Sequence, residues 1–269
     1  MATVLVDTAI SRDGRAAPPY PHRDLGKDAL LGSPRATPRL PGPARLIVLP
    51  AGTSVSAETR CRFHAQVARV SVLGPTSRAA TFWVHGPSPI EVELDALACS
   101  RQTKVRADTL TDRIVPGSLL GIGDPGELAD VAACTSFALD IASCINDLRR
   151  DNPDDALLRR FTAMTQRLDI VDVATVADEL GVNPHLLRRL TLRHFGFPPK
   201  LLLVRARFLA AFVAYQRSGM RFDSVLDFGY FDSSHFLRDA NRFLGTTPKR
   251  YLERFAALMP CAWRRQTSG

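Results

Sequence analysis

What most restricts this chain is a pattern written twice in its last third. Val173 to Phe195 reads VATVADELGVNPHLLRRLTLRHF. Val176, Ala177 and Leu180 recur at helical spacing, and Gly181 ends that helix where a positive φ is cheap. Asn183 is a good N-cap, and Pro184 suits the first helical position, where a missing N–H costs nothing. The helix that follows is expected to bury Leu186 or Leu187, Leu190 and Phe195, and to expose His185, Arg188, Arg189 and Arg193. Gly229 stands 48 residues beyond Gly181, inside Ser224 to Phe243, SVLDFGYFDSSHFLRDANRF. Here Val225 and Phe228 pack, Gly229 turns, Asp232 caps, and a helix runs from Ser233 to Phe243. Its packing face is Phe236, Ala240 and Phe243, with Ser233, Ser234, Leu237 and Arg238 on the other side. Pro199 to Gln216 predicts a single long helix between the two copies. Two short helices about a glycine-bearing turn make a helix-turn-helix, whose second helix can enter the major groove. One copy would equally describe an ordinary α-hairpin on a protein surface. Two copies on a shared rigid helix can face successive turns of a groove, about 34 Å apart.

The rest of the chain has a different texture. Residues 12–45 scatter Pro18, Pro19, Pro21, Pro34, Pro38, Pro41 and Pro43 among Arg, Gly and Ser, which predicts an irregular arm over 1–44. Arg45–Leu49, Val67–Leu73, Ala80–His85 and Ile90–Leu94 are short, rich in β-branched and aromatic residues, and bounded by Gly and Pro. They predict a small β-rich domain over 45–123, with Ile90 to Leu94 alternating as a half-buried strand should. Gly126 to Arg150 carries Leu128, Val131, Ala132, Phe137, Ala138, Ile141, Ile145 and Leu148 at three- and four-residue intervals. This predicts an amphipathic helix over 124–151 whose apolar face pairs with a second copy, with Asp140 and Asp147 on its wet side. The all-helical part spans 152–256, and 257–269 is a tail. The fold class expected is therefore α+β: a β-rich domain with a following helix, then an all-α domain of two helix-turn-helix motifs.

Charge points to the partner. Lys and Arg number 35 against 27 acids, a net charge of +8. Residues 185–269 alone carry 15 basic and 5 acidic groups, so the excess sits where the two motifs are. A basic half on a near-neutral half suits a polyanion. No run of apolar residues is long enough to span a bilayer, and Asp7, Arg12 and Asp13 stand where a signal peptide needs an apolar stretch. A cytoplasmic chain with no membrane partner is expected. Cys61, Cys99, Cys134, Cys144 and Cys261 form no CxxC pair and have no His at zinc-finger spacing, so neither a metal nor a cofactor is expected. Their simplest role is as small core hydrophobes, with a redox sensor as the other reading. Trp83 and His85 are read as strand residues that fill a core or line a ligand cavity.

From Gly229 the chain runs Gly229-Tyr230-Phe231-Asp232-Ser233-Ser234-His235-Phe236-Leu237-Arg238, then Arg242-Phe243, Gly245, Thr247-Pro248 and Tyr251. This gapless run resembles the second-motif signature of the AraC/XylS transcription regulators, G-F-x-D-x-S-H-F-x-R-x-F-x-R-x-x-G-x-T-P-x-x-Y. Leu180-Gly181, Asn183, Gly196 and Pro198 resemble the same family's first motif, and the likeness covers about 155–256. It implies a C-terminal domain with two DNA-reading motifs joined by a long helix. Three departures bear on the second motif: Ala240 replaces a usual Phe, Asn241 a common Lys or Arg, and Val225 a small Ala. They imply a looser second grip. The first half resembles, more weakly, the β-rich regulatory domains fused to such regulators, through Val48–Gly52, Gly74-Pro75-Thr76-Ser77-Arg78 and Asp112–Pro116, with Ala51 where an acid is usual.

The residues expected at DNA are His185, Arg188, Arg189, Arg193, Ser233, Ser234, Leu237, Arg238, Lys249 and Arg250. Arg188 and Arg189 have the fork that pairs with guanine O6 and N7. Their alternative is a solvated face or an ion pair with Asp178 or Glu179. Lys249 and Arg250 open the last helix, where phosphate is favoured. His235, beside Phe236, reads as part of the fold. No Ser–His–Asp, phosphate-loop or HExxH pattern occurs. Pro260-Cys261-Ala262 lacks the His that a DNA alkyl-transfer cysteine needs, so no enzyme is expected. The function expected is a sequence-specific transcriptional regulator whose first domain dimerises or senses a signal. Its partners would be double-stranded DNA, RNA polymerase for an activator, a second copy, and a small-molecule effector. The alternative is a ligand- or thiol-sensing module in which DNA binding is secondary.

Overall fold

The computed structural model describes residues 4–5, 34–126, 128–146, 154–167 and 172–255. Most of the arm, Asp147, Leu148, the Asp-Asn-Pro break at 151–153, Cys261 and the tail lie outside the described residues.

Among the described residues, nine strands make two antiparallel sheets: β1 (Val4–Leu5), β2 (Arg35–Arg39), β3 (Arg45–Val48), β4 (Ser54–Glu58), β5 (Phe63–His64), β6 (Val70–Leu73), β7 (Ala80–His85), β8 (Ile90–Glu93) and β9 (Ile114–Pro116). The larger sheet runs β1-β8-β3-β6-β9 and the smaller β2-β7-β4-β5. Ile47, Leu49 and Leu73 of the larger meet Val55, Ala57, Phe82 and Val84 of the smaller in one buried cluster, so the sheets pack face to face. Side chains alternate along a strand, so Leu46, Val48, Val72 and Val92 point the other way. They are covered by Cys134, Ala138, Ala142 and Ile145 of α2 (Val131–Asn146). The larger sheet is thus buried on both faces, which is why β6 is buried throughout while β7 alternates.

Four expectations change here. The segment expected to be irregular contains β2, Pro38 included. It is an edge strand paired only with β7, the position where a residue without an N–H is tolerated. Ile90 to Leu94 is not half-exposed: Glu91 is 2% accessible and receives the Arg39 Nε–H at 2.6 Å. Its alternation separates two buried faces, with a buried carboxylate neutralised from β2. The apolar face of α2 is spent on the chain's own sheet, so this face does not supply a dimer contact. Trp83 alternates to the outer side of the smaller sheet, 6.0 Å from the exposed Phe63 ring, and Phe82 fills the interior instead. His85 lies on the same outer side.

Past α1 (Ala96–Gln102) and α2, the chain is helical: α3 (Asp154–Thr165), α4 (Val173–Leu180), α5 (Pro184–Phe195), α6 (Pro199–Arg217), a 3₁₀ segment (Phe222–Phe228), α7 (Ser233–Phe243) and α8 (Pro248–Phe255). At 19 residues α6 is about 28 Å long. Its Phe208 ring lies 5.3 Å from Phe243 and 5.8 Å from Phe236 of α7, and Phe212 meets Tyr251 of α8 edge-on at 5.8 Å. Val176, Leu180 and Leu187 join the same core from α4 and α5. One helix therefore carries both motifs on a continuous core.

Candidate nucleic-acid interface

Local chemistry sets each recognition helix. Asp172 caps α4 by accepting the Thr175 N–H at 3.0 Å, and that bond holds its carboxyl below the ordinary range. Gly181 closes α4 at φ +70°, and Asn183 Oδ1 accepts the His185 N–H at 2.7 Å to start α5. The second motif repeats the scheme, with Gly229 at φ +73° and Asp232 Oδ1 accepting from His235 N–H at 2.8 Å. Its first segment is a 3₁₀ helix rather than an α-helix. Val225 of this segment and Ala240 of α7 are both fully buried in the shared core, and a 3₁₀ helix has poorer hydrogen-bond geometry than the α-helix of α4.

α5 buries Leu187, Leu190, Thr191 and His194 and exposes His185, Arg188, Arg189 and Arg193. Among the described residues none of these three arginines has an ion pair, and Glu179 is taken by Arg167 at 2.8 Å. α7 buries Phe236, Asp239, Ala240 and Phe243 and exposes Ser233, Ser234, Leu237 and Arg238. Lys249 and Arg250 are exposed on the first turn of α8, with Lys249 Nζ 3.9 Å from Glu253. All ten expected residues are thus exposed, and each motif's set lies on one helix side.

Beneath α7 sits a polar cluster. Asp239 Oδ2 accepts from Tyr230 Oη–H at 2.8 Å and from Arg207 Nη2 of α6 at 3.4 Å. Arg207 also lies 4.7 Å from the Tyr230 ring and 3.2 Å from His235 Nε2. A guanidinium only donates, so that imidazole nitrogen receives the bond. Burial, first, and the neighbouring Asp239 push the Tyr230 hydroxyl well above its usual range.

The β-rich domain grips both motifs, which sequence patterning did not reveal. Leu97 of α1 packs with Leu158 of α3 and Leu190 of α5, and Ser100 Oγ is 2.6 Å from His194 Nδ1. On the second side, Ala79 N–H donates to Phe243 O at 2.7 Å, and Arg78 Nη2 reaches Asn241 O at 3.4 Å. Arg205 Nη1 of α6 donates to Thr76 O at 2.9 Å. Asp112 braces this loop, accepting from Ser77 N–H at 2.7 Å and from Ser77 Oγ–H at 2.6 Å. The signal was in Gly74 to Arg78 and Asp112, two stretches whose small hydroxyls and buried acid suit a self-satisfied loop.

Gly196 ends α5 against this domain at φ +80°, and a Cβ there would stand 2.7 Å from Thr111 Cγ2 and 3.1 Å from Ala107 O. At Gly181, with φ +70°, a Cβ would meet open space. Gly181→Ala should therefore cost only the left-handed strain, about 1–2 kcal/mol. Gly196→Ala adds a clash and should cost clearly more in urea denaturation; equal losses would disprove the close approach.

Between the two parts lies a cavity of about 930 Å³, walled by α3 and α6 on one side and by Leu40–Pro43, Arg45 and Glu93–Leu97 on the other. Arg205 lies in its wall, where burial draws the guanidinium down to about 10. Among the described residues no cluster of three His, Cys, Asp or Glu is placed to hold a metal, and no helix is long and apolar enough to cross a membrane. Cys99 and Cys134 are buried while Cys61 and Cys144 are exposed, and burial pushes the Cys99 thiol up to about 11.

Residues 176–254 match the model of a family described as a helix-turn-helix domain. No curated protein matches the chain by sequence. Among solved structures it is similar to ToxT of Vibrio cholerae. The apo form of a lysine-to-alanine variant from strain SCE256 is 14% identical, with a TM-score of 0.44 over 83% of this chain and 94% of that one. ToxT of strain O395 bound to (E)-4-(8-methylnaphthalen-1-yl)but-3-enoic acid is 12% identical, with a TM-score of 0.43 over 82% and 98%.

Proposed function

We propose that this chain, whose residues 176–254 form an AraC-type helix-turn-helix domain, is a sequence-specific DNA-binding regulator of transcription that reads major-groove bases with α5 and α7. The observation that carries the reading is the pair of capped helices held on α6, with His185, Arg188, Arg189 and Arg193 exposed on one and Ser233, Ser234, Leu237 and Arg238 on the other. Arg and Lys neutralise phosphates for affinity, Lys249 and Arg250 among them, and the helix faces select sequence. RNA polymerase is the further partner if the protein activates.

The β-rich domain serves as the sensor. Its grip on both motifs makes their relative pose depend on how it sits on α6. A small molecule in the cavity between them would act on that pose, and the cavity volume is in the range of ligand sites. Oligomeric state is a separate part of the proposal: a homodimer would have to use a surface other than the apolar face of α2. Sedimentation at micromolar concentration checks it, and a monomer on and off DNA would remove the dimer.

The test of the main reading is selection from a random duplex library by the full chain, followed by fluorescence anisotropy across a salt series. A shared motif bound at least a thousandfold over random DNA is the expected result, the low end of specific binding. Binding that salt erases and that ignores sequence would reduce the basic half to an electrostatic anchor.

A further inference from the structure

The two recognition helices differ in the turns that lead into them. In the first motif one residue, Val182, separates the turning Gly181 from the cap Asn183; in the second, two, Tyr230 and Phe231, separate Gly229 from Asp232. Val182 and Tyr230 are the inward residues of the two turns, and both pack on the core. The extra residue of the second turn is Phe231. It is 89% accessible, the most exposed large apolar side chain among the described residues. It does no work for the fold. Leu237, 38% accessible, lies one turn into α7 on the side of Ser233 and Ser234.

The geometry points to Phe231, with Leu237, as a specificity-determining residue that reads thymine methyl groups at the second half of the binding site. The inference rests on the regulator reading and deepens it. Base edges in the major groove present a single apolar group, the thymine C5-methyl, and the N-terminal end of a recognition helix is the part that meets those edges. Phe231 stands immediately before the cap of α7, so it goes where that end goes. A phenyl ring gains nothing from phosphate, which takes hydrogen bonds and charge. Ser233 and Ser234 can bond to any base, and Arg238 stands a turn further on with its Nε on Ser234 O at 3.4 Å, which leaves methyl contact as the discriminating interaction at the start of this helix. α5, by contrast, exposes guanidinium groups suited to guanine and no comparable apolar side chain. The site is thereby bipartite, with guanine read at α5 and thymine at the start of α7.

The probe is the duplex enriched by the full chain from a random library, remade with deoxyuridine replacing thymine in one half at a time. This removes the methyl and keeps the base pairing. The wild-type chain should lose about fourfold in affinity for each methyl it buries, in one half only. Phe231→Ala should bind the thymine duplex more weakly by a similar factor and be indifferent to deoxyuridine. Phe231→Leu should keep the dependence, since it keeps the apolar contact. A side chain this exposed is not needed for folding, and unchanged thermal unfolding of both variants checks that. The inference is overturned if the wild type ignores deoxyuridine in both halves, or if Phe231→Ala retains the full methyl dependence. It is also overturned if Phe231→Ala binds DNA normally but loses transcription by RNA polymerase in vitro, which would assign the ring to the polymerase. Absence of any enriched sequence would instead bring down the regulator reading itself.

Discussion

Replacing Asp239 by alanine is expected to cost about 3–5 kcal/mol, the usual effect of stranding one member of a buried ion pair. Arg207 and Asp239 are 7% and 8% accessible, one on α6 and one on α7. The same carboxylate oxygen takes both the Arg207 guanidinium and the Tyr230 hydroxyl. Alanine would leave the Tyr230 hydroxyl with no acceptor from α7 and the Arg207 cation with only the neutral His235 nitrogen there. Arg207 Nε has no hydrogen-bond partner in that pocket already, so the side chain has little to fall back on. Asp239→Asn keeps an acceptor for Tyr230 and loses only the charge, so its cost should be smaller. Arg207→Met combined with Asp239→Leu removes both charges and keeps the volume, and should recover most of the loss. Urea denaturation of the three variants orders them. If the double variant is as unstable as Asp239→Ala, then shape rather than charge joins α7 to α6, and the ion-pair account is wrong.

The two motifs were legible because everything that defines them is local. A cap, a proline at the first helical position and a glycine in a left-handed turn act within a few residues, so Asn183, Pro184, Gly181, Asp232 and Gly229 can be read in order. β4 and β5 lacked such marks: Ser54–Glu58 is a weakly apolar pentapeptide whose strand form is set by β7 across the sheet. Pro38 argued against a strand, and only its place on an edge reconciles the two. The amphipathic stripe of α2 was visible, but a stripe does not say what covers it, and the chain's own sheet competed successfully. The least legible feature is the seam between the two parts. Ala79 meets Phe243, and Arg205 meets Thr76, at separations no periodicity encodes. The exposure of Phe231 was equally hidden, since an apolar letter before a helix cap looks like core until the neighbouring Tyr230 is seen to fill that place.

Arg188→Ala and Lys249→Ala are expected to weaken DNA binding in different ways, and the contrast tests where sequence is read. Arg188 projects from α5 with no ion pair, so its fork is free for a guanine edge. Its loss should cost about 1–3 kcal/mol, or fivefold to 150-fold, on the selected duplex and much less on random DNA. The preference at one base position should relax, while the slope of affinity against salt changes little. Lys249 opens α8 and belongs to neither recognition helix, and its ammonium can offer only charge. Lys249→Ala should weaken all sequences alike and reduce the salt slope by about 0.9. Arg238 lies between these cases: its Nε already reaches Ser234 O at 3.4 Å, and it projects from the motif whose first segment is a 3₁₀ helix. A smaller specific loss than for Arg188→Ala is therefore expected from Arg238→Ala. Anisotropy titrations on selected and random duplexes at several salt concentrations separate the three. Should Arg188→Ala change only the salt slope, α5 would be a phosphate clamp, and the burden of recognition would fall on α7 and the methyl contacts assigned to Phe231.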